Sequence, residues 1–202
     1  MDIMEVTAMN NDEHVLLCVI GRSASGKDTL VQKLCERTGL KQIISYTTRE
    51  RRVNEGDTHI FINDEQYQYM EDENQIAAFT QIGQYKYCCT VKQLYENDIY
   101  VIDPAGVKHL RELNLPNLRL VTVYINVPDS VREYRALNLR GDDKIKWRVR
   151  NRNESEQFRQ MLRDADFDYA VQNLNFPRAY SVLRWIATVE DVIKNNKENV
   201  DG

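Results

Sequence analysis

The run Gly21-Arg22-Ser23-Ala24-Ser25-Gly26-Lys27-Asp28-Thr29 has the spacing G-x-x-x-x-G-K, two glycines closing on a lysine. That arrangement suits a polyphosphate. Main-chain N–H groups of a glycine-rich turn and of a helix N-terminus converge on phosphate oxygens, and Lys27 adds a full positive charge. The phosphate contacts expected here are Gly21, Ser23, Ala24, Ser25, Gly26, Lys27, Asp28 and Thr29. The residue after the lysine is ordinarily Ser or Thr, whose hydroxyl reaches Mg²⁺. This chain has Asp28 there and Thr29 next. Two readings stay open: Asp28 ligates the ion as a hard oxygen donor, or it caps the helix while Thr29 supplies the hydroxyl.

Three more clusters carry the charge that phosphoryl chemistry needs. Tyr46-Thr47-Thr48-Arg49-Glu50-Arg51-Arg52 sets guanidinium groups beside hydroxyls, and arginine grips phosphate oxygens bidentately. It is the candidate for a second phosphate group. Val101-Ile102-Asp103-Pro104 ends an apolar run with an aspartate, which would hold Mg²⁺ through water or orient the acceptor. Arg140 to Arg152 is dense in cations, and Arg148 and Arg152 are one helical turn apart. Within it Arg140, Arg148 and Arg152 are preferred over Arg150 as groups that close on a transferring phosphoryl.

These groups need elements to position them. His14 to Ile20 is a short apolar, β-branched run that reads as a buried strand, and Thr29 to Arg37 continues from the loop as a helix with Leu30 and Leu34 one turn apart. Further strands are expected at Gln42–Ser45, Ile99–Ile102, Leu120–Ile125 and Tyr169–Val171. Helices are expected at Val107–Leu113, Ser130–Leu137 and Arg178–Ile193. Strands alternating with helices imply an α/β fold, a three-layer arrangement around a central five-stranded parallel sheet. The last helix presents Ala179, Val182, Leu183, Ile186 and Val189 as its packing side. Residues 46–97 break the alternation, are tyrosine-rich, hold strand-like pieces at His59–Ile62 and Gln84–Tyr87, and read as an inserted subdomain. Residues 138–160 are charged with few apolar positions and read as a helical lid.

Composition bounds the class. The 202 residues suit one domain, 14–193, with a core of 14–45 and 98–193; the polar ends, 1–13 and 194–202, are expected to be disordered. With 42% hydrophobic and 29% charged residues and a net charge of −4, the chain lacks the basic excess of a nucleic-acid binder. No apolar run reaches the length of a membrane span. The four cysteines lack metal-like spacing: Cys18 and Cys35 suit buried thiols, and Cys88 and Cys89 would point to opposite faces of an extended stretch, which fits a reduced, cytoplasmic setting.

Taken in order, the motifs resemble those of the guanylate kinase fold of P-loop nucleoside monophosphate kinases, from His14 to the last helix. The glycine loop is followed by Ser45-Tyr46-Thr47-Thr48-Arg49-Glu50-Arg51-Arg52, similar to the family's S-x-T-T-R-x-x-R. Glu55 to Phe61 resembles G-x-x-Y-x-F, Gly83 to Thr90 resembles G-N-x-Y-G-[ST], and Asp103 to Gly106 resembles D-x-x-G. Arg140-Gly141 is similar to the lid start and Asp168 to Asn173 to D-Y-x-I-x-N. The resemblance implies ATP as co-substrate on the loop, with Mg²⁺, and a nucleoside monophosphate in the insert. It further implies Arg49, Arg52, Tyr87 and His59 (in place of a family tyrosine) on the acceptor phosphate. Ser45 and Cys89 would face the base, Asn173 would lie near the adenine, and Lys27, Arg49, Arg140 and Arg148 would be the catalytic cations. A monomer or homodimer acting on small nucleotides is expected. The family reads guanine with a glutamate where the simplest alignment puts Ala77; an alternative gap brings in Glu73 or Gln75. The small hydroxyl reader becomes Cys89, so the base preference is expected to be altered. Two alternatives are a catalytically inactive interaction module, which the intact Gly21, Gly26 and Lys27 disfavour, and a kinase of another phosphorylated acceptor.

Overall fold

The computed structural model describes residues 13–51 and 59–193. The expectations for Arg52, for Glu55 to Thr58 and for most of the two ends fall outside those residues. Glu13, assigned to a disordered end from sequence, accepts a hydrogen bond from Arg119 Nε at 2.8 Å.

The strands form two sheets, ordered β6-β1-β7-β8 and β3-β2-β5-β4. They are β1 (His14–Ile20), β2 (Tyr46–Thr47), β3 (Ile60–Phe61), β4 (Ile76–Ile82), β5 (Tyr85–Thr90), β6 (Ile99–Val101), β7 (Leu118–Asn126) and β8 (Tyr169–Gln172). The first sheet has four strands and not five. The expected strand at Gln42–Ser45 contributes only a parallel bridge from Gln42 to Ile99, because the chain leaves that ladder to enter β2.

The chain divides into two compact units, one of residues up to Cys18 with Lys41–Leu120, the other of Val19–Leu40 with residues from Val121 onward. In the second unit, α1 (Lys27–Thr38) starts at Gly26 and stops at Gly39, whose N–H reaches Cys35 O from a left-handed conformation. Leu30 and Leu34 are both fully buried, each worth on the order of 1.5–3 kcal/mol of apolar burial. β7 and β8 run parallel, and Asp168 ties them by accepting from the Thr122 N–H at 2.7 Å and hydroxyl at 2.6 Å. Helix α5 (Asp129–Tyr134) widens into a π-turn over Arg135–Leu139. Helix α6 (Lys144–Asp164) is capped by Asp143 and buries Trp147, Phe158 and Met161. The charged segment therefore carries an apolar stripe that its low apolar content concealed. Helix α7 (Phe176–Val189) buries Ala179, Leu183, Ile186 and Ala187. Val182 and Val189, expected on the packing side, are exposed at 38% and 47%, since the buried stripe turns toward Ala187.

In the first unit, β2 lies between β3 (parallel) and β5 (antiparallel). β4 and β5 form a hairpin closed between Ile82 and Tyr85, with a register irregularity between Ile76 and Phe79. Helices α2 (Asp64–Asp72) and α3 (Val91–Glu96) each open with a capping box, Asn63 with Gln66 and Thr90 with Gln93. Tyr67 and Met70 of α2 pack with Cys88, Phe79, Ile76 and Tyr46. These residues form a small core of their own, within the 46–97 stretch that the sequence reads as an inserted subdomain. Helix α4 (Pro104–Leu113) buries Val107 and Leu110.

Candidate active site

Gly21 to Gly26 joins β1 to α1, and its glycines are required by geometry. Gly26 is the N-cap of α1 with φ 81°, and a Cβ there would stand 2.6 Å from Asn173 Nδ2. A Cβ on Gly21 would meet Ser25 Oγ at 2.7 Å and Ile125 O at 3.2 Å. Side chains are excluded at both positions, so the main chain itself forms the wall of the loop. With Gly26 as the cap, Asp28 is not the cap that one sequence reading allowed. Asp28 and Thr29 are both exposed in the first turn of α1, and Asp28 lies 3.3 Å from the Lys27 ammonium.

Three residues of the same unit clasp the loop from behind. Asn173 is buried and donates to Ser25 O at 2.8 Å. Arg135 donates to Ser25 O at 3.3 Å and to Asn173 O at 2.7 Å. Arg132 is 1% exposed and donates to Ser23 O at 3.1 Å, to Asp129 at 2.8 Å and to Asn151 at 2.7 Å, with its guanidinium over the Trp147 ring. Burial pulls the Asp129 carboxyl upward, but the Arg132 hydrogen bond and charge outweigh it and hold the group below its ordinary range. Sequence reasoning missed Arg132 and Arg135 because they sit in a helical pattern, where single arginines read as surface charge. Asn173, expected near an adenine, serves here to fix the loop.

Of the α6 region, the structure gathers Arg140 and Arg150 on Asp142, at 2.5 Å and 3.4 Å. The Asp142 hydrogen bond raises the Arg140 pKa. Arg148 and Arg152, preferred from sequence, are exposed on α6; Arg150, ranked below them, shares the carboxylate with Arg140.

The other expected residues come together on one face of the β4–β5 hairpin in the first unit. Thr80 pairs across the strands with Tyr87, and strand alternation puts Cys89 on the Tyr87 face. Thr80 donates to Asp103 at 3.1 Å, and the same Asp103 oxygen caps α4 by accepting from Gly106 N–H at 2.8 Å. His59 meets the Tyr87 ring edge-on at 5.7 Å. Arg49 is almost fully buried; its guanidinium and that of Arg51 lie 5.4 Å and 4.7 Å from the Phe61 centroid. A cleft of about 530 Å³ is lined, among the described residues, by Ile44, Arg51, His59, Ile60 and Phe61.

The positions expected to face a base are turned inward. Ser45 Oγ donates to the Tyr100 hydroxyl at 3.2 Å, and Cys89 is fully buried. Burial pushes the Cys89 thiol up to about 12 and raises Tyr100 too. Ala77 is fully buried in the irregular stretch of β4. Thr80 and Tyr100 had no signal in the sequence, since a strand threonine and a strand tyrosine are ordinary sheet residues.

A glycine loop between strand and helix, clasped by the buried Arg132 and by Arg135 and Asn173, is the arrangement of a P-loop phosphotransferase of α/β architecture. The guanylate kinase family model matches residues 13–190, and the chain belongs to the guanylate kinase family. It is 27% identical over 198 residues to the guanylate kinase of Baumannia cicadellinicola subsp. Homalodisca coagulata, covering 91% of this chain and 94% of that protein. It is 25% identical over 187 residues to the guanylate kinase of Escherichia coli strain K12, covering 87% of each. The crystal structure of guanylate kinase from Anaplasma phagocytophilum shares the fold with a TM-score of 0.63 at 20% identity, over 92% of this chain and 89% of that one. Among the described residues no helix is long and apolar enough to cross a membrane.

Proposed function

We propose that this chain transfers the γ-phosphoryl of ATP to the phosphate of a nucleoside monophosphate, giving ADP and a nucleoside diphosphate, with a base preference that departs from strict guanine reading. The observation that carries the transfer is the loop. Gly21 and Gly26 admit no side chain, Lys27 closes the motif, and Arg132, Arg135 and Asn173 hold the loop carbonyls. An acceptor phosphate oxygen is already ionised, so no general base is needed. Catalysis reduces to in-line positioning and neutralisation of charge. Lys27 is the cation on the donor side, and Arg140 with Arg150 supplies further positive charge from the α6 region that we assign as the lid. Arg49, with Arg52, Tyr87 and His59, is assigned to the acceptor phosphate in the 46–97 insert.

Mg²⁺ bound to nucleotide phosphates takes only one or two carboxylates from a protein, so Asp28 and Thr29, exposed in the first turn of α1, fit that role without a dedicated cage. Bound there, the ion would supply positive charge against the phosphates. Asp103 has one oxygen engaged by Thr80 and Gly106, which suits orientation of the acceptor better than direct ligation.

Altered base reading is supported by Ala77 in place of a glutamate, by the bond from Ser45 to Tyr100 and by the full burial of Cys89. Polar groups discriminate between bases when a mismatch leaves them unpaired; groups already paired within the protein lose that leverage. The test is ADP release with ATP and Mg²⁺ against all ribo- and deoxynucleoside monophosphates. Turnover spread over several bases, or centred on a base other than guanine, supports the proposal. Turnover confined to GMP and dGMP overturns the altered preference and leaves the kinase.

A further inference from the structure

Glu154, on α6, holds both donors of Ser23 in the middle of the glycine loop. Its carboxylate accepts the Ser23 N–H at 2.9 Å and, through the other oxygen, the Ser23 hydroxyl. The N–H groups of such a loop are its anion-binding equipment, and here one is held by an anion of the chain's own. Two cations frame the contact. Arg132 stands 3.8 Å from Glu154 and donates to Ser23 O. Arg22 donates to Asp129, to the Asn151 carbonyl and amide oxygens, and to Ser155 on α6. Arg22 and Arg132 therefore balance Asp129 and Glu154, two charges against two, in a closed network that fastens α6 to the loop.

We propose that Glu154 is a resident anion that ATP displaces: a phosphate oxygen takes the Ser23 donors, and the Glu154 side chain turns away. The withdrawal leaves Arg22 and Arg132 facing Asp129 alone, one positive charge in excess beside the incoming phosphates. Glu154 is in this sense a positioning residue that holds the loop donors until nucleotide arrives, and it lowers the affinity of the empty enzyme for ATP. The proposal rests on the loop being the ATP site.

The experiment is calorimetric titration of the full chain with ATP and Mg²⁺, without acceptor, for the wild type, Glu154→Gln, Glu154→Asp and Lys27→Ala. Gln keeps the shape but loses the charge, and charge-assisted hydrogen bonds are about twice as strong as neutral ones. Asp keeps the charge but is one methylene short of spanning both donors. Glu154→Gln should bind ATP about five- to tenfold more tightly than wild type and Glu154→Asp should also bind more tightly, while Lys27→Ala binds weakly. Unchanged or weaker binding in both Glu154 variants, with Lys27→Ala still weak, overturns the proposal alone. Wild-type affinity in Lys27→Ala overturns the ATP-site reading together with it.

Discussion

Arg132→Met removes a fully buried guanidinium and isolates the cost of the clasp around the loop. Met preserves most of the apolar stem against Trp147, so the loss is chiefly polar. Three hydrogen bonds disappear, to Ser23 O, Asp129 and Asn151, together with the ion pair to Glu154. Removing one member of a buried pair costs about 3–5 kcal/mol. Two of the partners here recover: Asp129 has a side chain 63% exposed and rehydrates, and the Asn151 amide oxygen keeps its bond from Arg22. The Ser23 carbonyl loses this donor and Glu154 loses its cation while keeping its Ser23 bonds, which leaves about 2–3 kcal/mol, the upper range for a hydrogen bond to a charged group. For a chain of this length each kcal/mol moves Tm by about 2–4 °C. Scanning calorimetry of the nucleotide-free protein should therefore show Tm lowered by about 4–12 °C. Arg132→Lys should recover only part of the loss, because an ammonium cannot reproduce the planar fork. A Tm for Arg132→Met within 1 °C of wild type would refute the reasoning and leave the clasp without net stabilisation.

Other perturbations have equally definite outcomes. Lys27→Ala should lower kcat by at least about a hundredfold, the loss typical of a single charge-stabilising donor; near-normal turnover in a steady-state assay removes Lys27 from the site. Gly26→Ala forces a side chain into a left-handed backbone and against the Asn173 amide, and should raise KM for ATP more than tenfold. An unchanged KM contradicts the wall role of the main chain. The Cys89 thiol, pushed up from 9.0 to about 12 by burial, keeps its proton when folded, whereas the unfolded chain releases it. Its contribution to stability is complete below about pH 9 and is lost as pH rises toward 12. The urea midpoint should fall more steeply over that window in wild type than in Cys89→Ala; equal slopes sink the assignment.

Much of the fold was legible because it is written in local patterns. The apolar run ending at Ile20, the glycine loop, and Leu30 with Leu34 specify strand, turn and helix within one short stretch. The Asp168–Asn173 motif marked β8, although the work of Asp168 and Asn173, tying strands and gripping the loop, depends on partners far away in sequence. What stayed hidden was tertiary. Arg132 and Arg135 look like any helical arginines until a loop carbonyl is placed opposite them. Glu154 is one acid among many in a charged helix until Ser23 meets it. In the insert, β4 escaped notice because an irregularity between Ile76 and Phe79 breaks the alternation that identifies a strand. Tyr100 reads as a core aromatic, and only its hydroxyl contact reveals that it ties up Ser45.

Transfer of label from ATP carrying ³²P at the γ position to each nucleoside monophosphate, followed by separation of products, tests the central claim most directly. It separates phosphoryl transfer from ATP hydrolysis. The expected result is label in a nucleoside diphosphate for at least one acceptor, lost in Lys27→Ala. Label found only in inorganic phosphate, or retained in ATP that the protein nonetheless binds, would contradict it.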